Sequence, residues 1–239
     1  HGTTFDTITK ITFDEIEINL PSLDEQDKLI PKLDSLDSQI ENLQNQNKIL
    51  EQISQAVFKS WFIDFDGVTK FENSELGQIP KGWRVEKLEN LIELINGVSY
   101  RSTELMPSNT ALVTLKSVKR GGGYTERGLK SFEGKYKENQ IICEGDIIIA
   151  KTDLTQDAEV IGKPALIRNS KEFNLLIASL DLVIVRTKNN YIPKSYLYNL
   201  FLRDEFQNHV YGYTSGTTVL HLAKDGIPNY QIILPPKKI

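Results

Sequence analysis

The sequence predicts an α+β protein, one globular domain preceded by a long coiled-coil-type helix. Two observations carry this. A seven-residue apolar repeat runs through residues 24–62, and beyond it short apolar runs alternate with turn residues. A third observation, a repeat of the first 22 residues near the other end of the chain, bears on how the parts are ordered.

In the helical stretch, Leu29, Leu36, Leu43, Leu50 and Val57 recur every seven residues, and Leu33, Ile40, Asn47 and Ser54 form a second row four residues after each of the first four. Such a pattern, with a period of about 3.5 residues, describes a narrow seam facing another helix. At about 1.5 Å per residue the helix reaches roughly 55–60 Å. The seam's length and the flanking Gln and Asn disfavour the plainer alternative, an amphipathic helix packed on its own domain. A lone Asn47 in an a-type row sets register or partner number. Leu29, Leu33, Leu36, Ile40, Leu43, Asn47, Leu50 and Val57 are therefore the expected subunit or helix interface. Pro21-Ser22 followed by Asp24, Glu25 and Asp27 signals the helix entry. Pro31 lacks an N–H, which predicts a late start or a kink. Phe58, Trp61, Phe62 and Phe65 read as a foot docking on the next domain, and Asp66-Gly67 stops the helix.

Beyond it, Pro80-Lys81-Gly82 is turn chemistry. Arg84–Ile95 reads as a short helix with Val85, Leu88, Leu91, Ile92 and Ile95 on its apolar face, ended by Asn96-Gly97. Ala111–Val118 reads as a strand leading to a flexible basic loop, Lys119 to Tyr124. Gln140–Lys151 reads as two strands around Glu144-Gly145-Asp146. Val160–Arg168, Leu175–Arg186 and Ile227–Leu234 are further strands, and Pro193–Val210 is a helix. Strands in succession with few helices argue α+β rather than a parallel α/β sheet.

The 239 residues suffice for one sizeable core plus the helix. No long apolar run or signal peptide is present, so the expectation is a cytoplasmic protein with no membrane contact. The single Cys143 excludes a disulfide framework and reads as a buried small hydrophobe. The net charge of −4 does not favour bulk nucleic-acid binding, but it is unevenly spread. Residues 24–62 carry seven acidic and four basic side chains, whereas residues 100–137 carry eight basic and three acidic. A basic field on an acidic chain can form a binding face.

Catalytic signals are weak. His1, His209 and His221 are scattered, so no zinc spacing exists, and His221 reads as half-buried. Gly121-Gly122-Gly123 lacks dinucleotide or P-loop spacing. Asp153, Asp157 and Glu159 would suit a metal-dependent nuclease, but a solvated loop is the favoured reading of the three. The binding signals are better. Tyr100, Arg101, Lys116, Lys119, Arg120, Arg127, Lys151, Thr152, Tyr213 and Thr217 place cations beside aromatics, hydroxyls and glycine backbone, the chemistry that meets phosphates and guanine edges.

Residues 2–22 and 216–236 align without a gap at an offset of 214. Gly2/Gly216, Thr3/Thr217, Thr4/Thr218, Lys10/Lys224, Ile18/Ile232, Leu20/Leu234 and Pro21/Pro235 are identical, seven positions of 21. A longer parent with two globular domains, each followed by a long helix, would produce this pattern. Residues 1–22 are then the tail of a preceding domain, 23–66 the central helix, and 67–239 the second domain.

With that repeat, Ile79-Pro80-Lys81-Gly82-Trp83, Gly145-Asp146-Ile147-Ile148-Ile149, the run from Ser215 to Leu222 and the run from Leu20 to Ile40 resemble the specificity subunit of type I restriction–modification enzymes. The resemblance implies a non-catalytic target-recognition domain reading one half of a split double-stranded DNA site. It also implies a helix that sets the spacing between halves and docks methylation and restriction subunits. No cofactor is implied for this chain: S-adenosylmethionine belongs to the methylation subunit, ATP and Mg to the restriction subunit. A homo-oligomer through the seam is a further expectation. The rival reading is a coiled-coil scaffold whose α+β domain binds protein.

Overall fold

The computed structural model describes residues 10–155, 157–188 and 192–236. The chain divides into two compact units, His1–Ile53 and Ser54–Ile239. Residues 2–9 of the first repeat copy lie outside the described residues.

The first unit holds α1 (Lys10–Asp14) and most of α2 (Leu23–Phe62). Ser22 caps α2. Its backbone N–H and hydroxyl both donate to Glu25 Oε2, at 3.0 and 2.8 Å, and Glu25 N–H donates back to Ser22 O. This reciprocal arrangement satisfies donors that a helix start leaves orphaned. Hydrogen bonds from Ser22 hold the Glu25 carboxyl below its ordinary value. The expected late start at Pro31 is corrected: α2 begins at Leu23 and runs on through Pro31. The cost is one missing donor toward Asp27, and the capped entry offsets it. Every apolar residue of the predicted seam is exposed, from Val57 at 42% to Leu50 at 62%.

In the second unit α2 ends as expected in an aromatic foot. Phe58 is buried and stacks edge-on against Tyr196 at 5.0 Å; Phe62 meets Tyr196 at 4.9 Å and Trp83 at 6.0 Å. Ser54 Oγ and Gln55 Nε2 donate to Asn199 Oδ1 at 3.0 and 2.8 Å. After Phe62, Phe65 adopts φ +56° and turns its ring onto Trp83 at 5.5 Å. Trp61 remains largely exposed.

The strands follow as β1 (Phe71–Ser74), β2 (Gly77–Pro80), β3 (Arg84–Lys87), β4 (Ile92–Asn96), β5 (Thr110–Val113), β6 (Leu129–Ser131), β7 (Ile141–Ile142), β8 (Ile147–Ala150), β9 (Thr152–Asp153), β10 (Pro164–Leu166), β11 (Leu175–Ala178) and β12 (Leu182–Thr187). Then come α3 (Lys194–Phe201), α4 (Asp204–Tyr211), β13 (Thr214–Ser215), β14 (Leu220–Leu222) and β15 (Gln231–Leu234). The central sheet has the order β10-β8-β12-β4 and is wholly antiparallel. A second sheet, β6-β5-β11-β7, contains one parallel pair, β5 with β11.

The all-apolar run of β8 follows from burial on both faces. Ile147 and Ile149, with Val183 and Val185 of β12, pack toward Leu197, Phe201 and Phe206 of the helices and toward Phe58. Ile148 and Ala150, with Leu182 and Ile184, pack toward Ala111, Val113, Leu176 and Ala178 of the second sheet. The outer face of that sheet, Leu112 and Ile177, is covered by Val98 and Phe132. A strand buried on two sides loses polar alternation.

Asp146 of the β7–β8 connection clamps three segments. Its carboxylate accepts from Cys143 N–H at 3.1 Å, Lys194 Nζ at 2.8 Å and Arg186 Nη2 at 3.3 Å. The carboxylate is buried while both cations are partly exposed. Asp146→Ala is expected to lower stability by about 1–3 kcal/mol, since Cys143 N–H loses its acceptor and two part-exposed cations lose their shared partner. A chemical denaturation midpoint reads it, and an unchanged midpoint would remove the clamp from the account.

Several expectations are corrected. Arg84–Ile95 is not a helix: β3 pairs with β15 and β4 with β12, joined by a short 3₁₀ turn. Gly97 is required by packing rather than as a helix end, because a Cβ there would meet Ser179 O at 2.0 Å. The two strands in 140–151 belong to different sheets. Residues 111–118 hold a strand only to Val113, then a 3₁₀ turn. Pro193–Val210 is two helices, and Leu175–Arg186 two strands. Cys143 is exposed.

Candidate nucleic-acid interface

The ten predicted residues fall into three groups. The first is a folded-back segment, residues 115–128. Val118 bridges Tyr124, and Thr125 N–H donates to Ser117 O. The predicted flexible loop is in fact a closed turn: Lys119 N–H donates to Gly123 O, Gly122 N–H to Lys119 O, and Gly123 N–H to Pro164 O. Its three glycines have φ of +79°, +103° and +97°, values open to glycine at little cost. Lys116, Lys119, Arg120 and Arg127 are exposed along this one segment. They are not equivalent. Arg120 Nε lies 2.9 Å from Glu159 Oε2, so its charge is already partnered. The other three form none of the ion pairs among the described residues.

The second group is assembled by a three-stranded sheet of order β13-β14-β9. His221 pairs with both Ser215 and Thr152, which brings Lys151-Thr152 beside the loop from Tyr213 to Thr218 across some 60 residues of chain. Leu222 N–H donates to Lys151 O at 2.8 Å. Lys151 Nζ donates to Asn96 Oδ1 at 2.6 Å, and Lys151 N–H to Asp181 O at 2.7 Å. Burial pushes the Lys151 ammonium pKa down, the Asp181 charge opposes this, and the Lys224 charge adds to it. Thr152 is buried and donates its hydroxyl to Asp181 Oδ1 at 3.1 Å, so it positions the site instead of facing solvent. Tyr213 is half-buried, its ring 5.0 Å from His209, while Thr217 is exposed. His221 is exposed, correcting its half-buried expectation.

Tyr100 and Arg101 form the third group. Tyr100 packs against the cluster of Leu112, Phe132 and Ile177, and Arg101 is exposed at the start of a 3₁₀ turn with its N–H on Glu104 Oε2. The segment 153–161 links the first two groups. Asp153 is buried in β9, and Arg120 reaches Glu159.

The Asp153 carboxylate of that segment is structural. Asp153 Oδ1 accepts from Thr155 N–H and hydroxyl at 2.9 and 2.8 Å, and Oδ2 from Val160 and Ile161 N–H at 2.7 and 3.1 Å. Burial raises its pKa, but these donors outweigh burial and hold it below its ordinary value. No group of three or more metal-ligating side chains occurs among the described residues. Because the folded pKa is depressed, Asp153 contributes stability above the unfolded value of about 3.9, and that stability is lost as pH falls through the folded value. Asp153→Asn is expected to lower stability at neutral pH by about 1–2 kcal/mol and to flatten its acid limb. Melting followed from pH 7 to 3 checks this. An acid limb as steep as the unaltered protein's would overturn it.

Residues 80–239 match the family model described as Type I restriction modification DNA specificity domain. The chain belongs to that family. It is 32% identical over 251 aligned positions to the type I restriction enzyme MjaIX specificity subunit of Methanocaldococcus jannaschii, covering all of this chain and 54% of that one. The MjaVIII specificity subunit of the same organism is 24% identical, covering 98% of this chain and 55% of the relative. The chain thus spans about half the length of these curated relatives. Among solved structures, the HsdS subunit from Thermoanaerobacter tengcongensis aligns with a TM-score of 0.47 at 18% identity over 99% of this chain and 53% of that one. No helix among the described residues is long and apolar enough to cross a membrane.

Proposed function

We propose that this chain is the part of a type I specificity subunit that reads one half of a bipartite DNA site. Residues 67–239 are the target-recognition domain, 23–66 the central helix, and 1–22 the tail of a preceding recognition domain. The observation that carries the reading is the family match over 80–239, which encloses all ten candidate contact residues. The chain is non-catalytic. Methylation and restriction subunits dock through the helix and bring S-adenosylmethionine, ATP and Mg; the assembly works in the cytoplasm. Exposed Lys116, Lys119 and Arg127 position the domain on phosphates, and neighbouring loop side chains read bases.

Co-purification of the chain with the products of neighbouring genes, with and without duplex DNA, tests this. The expected result is an adenine methylase that, with this chain, methylates one split sequence. Association with an unrelated protein through the seam, insensitive to salt and needing no duplex, would put the scaffold reading in its place. Lys119→Ala with Arg120→Ala is expected to reduce the salt slope of duplex binding by about 1–2. The lower figure applies if the Glu159 pair keeps Arg120 off the phosphates. An unchanged slope would take the closed turn out of the interface.

A further inference from the structure

Resting on the DNA-reading role above, we infer that Lys224, seated beside Lys151, is a phosphate-binding point whose lysine recurs in the first repeat copy as Lys10, so that it anchors the duplex without reading its sequence. Lys224 is the one charged residue identical between the two repeat copies, as Lys10 and Lys224. Its surroundings have diverged. His221 stands opposite Thr7, and Asp225 opposite Ile11. A charge kept while its neighbours change serves what two copies reading different sequences have in common. On a duplex that is the backbone, since base edges differ between sites.

The second copy shows how the point is built. The bond from Leu222 N–H to Lys151 O fixes the chain two residues before Lys224 against β9. The half-buried Lys151 is held by Asn96 and flanked by Asp181, whose carboxylate is shared with Thr152. Lys224 is exposed and forms none of the ion pairs among the described residues. Two like charges near one fixed strand end gain from an anion between them; burial is the main cause of the lowered Lys151 pKa, and the Lys224 charge adds to it. Thr217 and Thr218, also shared by both copies, lie on the loop between β13 and β14 of the same sheet.

The test uses the chain in complex with its methylation subunit. Two duplexes are used, one carrying the sequence that the unaltered complex methylates and one with both halves scrambled. Lys224→Gln should weaken binding to both by the same factor, leave their ratio unchanged, and lower the salt slope by about one. A slope change of that size means about a 3.5-fold smaller loss of affinity between 50 and 200 mM salt. Lys224→Arg should retain the unaltered behaviour. A fall confined to the methylated sequence would make Lys224 a base reader and overturn the inference. Unchanged binding to both duplexes overturns it as well. Failure of the unaltered complex to prefer any duplex is a different result, and it overturns the DNA-reading role itself.

Discussion

Exchanging Leu36 and Leu43 for lysine is expected to abolish association through the long helix, whichever partner covers it. Both side chains are more than half exposed, and they occupy successive d-type positions of a seam in which Leu29, Leu33, Ile40 and Leu50 are also exposed. Burying one leucine is worth about 1.5–3 kcal/mol. Losing two, and forcing charges into the seam, removes about 4 kcal/mol or more, roughly a thousandfold in affinity. The helix itself should survive, because lysine has good helix propensity and the Ser22–Glu25 cap is untouched. Sedimentation of the chain and co-purification with a methylation subunit read the outcome. Association unchanged in both would mean that the seam is not the interface.

The second large effect is expected at the foot of the helix. Phe58 is 4% exposed and touches both Phe62 and Tyr196. Phe58→Ala should cost about 3–5 kcal/mol, the range for emptying a buried aromatic site. Tyr196→Phe offers the contrast. It keeps the ring and loses only the hydroxyl bond to Ile233 O at 3.0 Å, about 1 kcal/mol. Denaturation of the two variants separates packing from hydrogen bonding. Equal, small losses would mean that residues 58–62 do not contribute to the domain's core.

Much of this was legible in the residues. The heptad rows, the acidic entry and the aromatic cluster describe a helix and its docked end, because a long single period needs no knowledge of what lies across from it. The apolar run Ile147-Ile148-Ile149 marks a strand. That its two faces meet different layers was not readable, since helices and a second sheet look alike to an isoleucine. The helix expected over residues 84–95 rests on Val85, Leu88, Leu91, Ile92 and Ile95, which suit a helical face. Distant partners, β15 and β12, draw the same residues into strands. Propensity over a dozen residues is a weak prior against such pairing.

The candidate site divides in the same way. Charge and loop chemistry picked out Lys116, Lys119 and Arg127, which are exposed along one folded-back segment. Tyr100 packs on a core cluster, Thr152 is buried and Arg120 pairs with Glu159, placements that charge and loop chemistry do not reveal. Lys224 is marked in the sequence by the repeat, as its one shared charge.

By itself the sequence determined the long capped helix, the apolar seam, the repeated ends and the family. All of these rest on local periodicity or on residues compared in order. Only the tertiary structure decided that Lys151 and the loop from Tyr213 to Thr218 share one small sheet, that Asp153 closes a loop instead of holding a metal, and which cations keep their charge free. These depend on strand pairings between segments tens of residues apart, and a pairing of that kind leaves no mark in either segment taken alone.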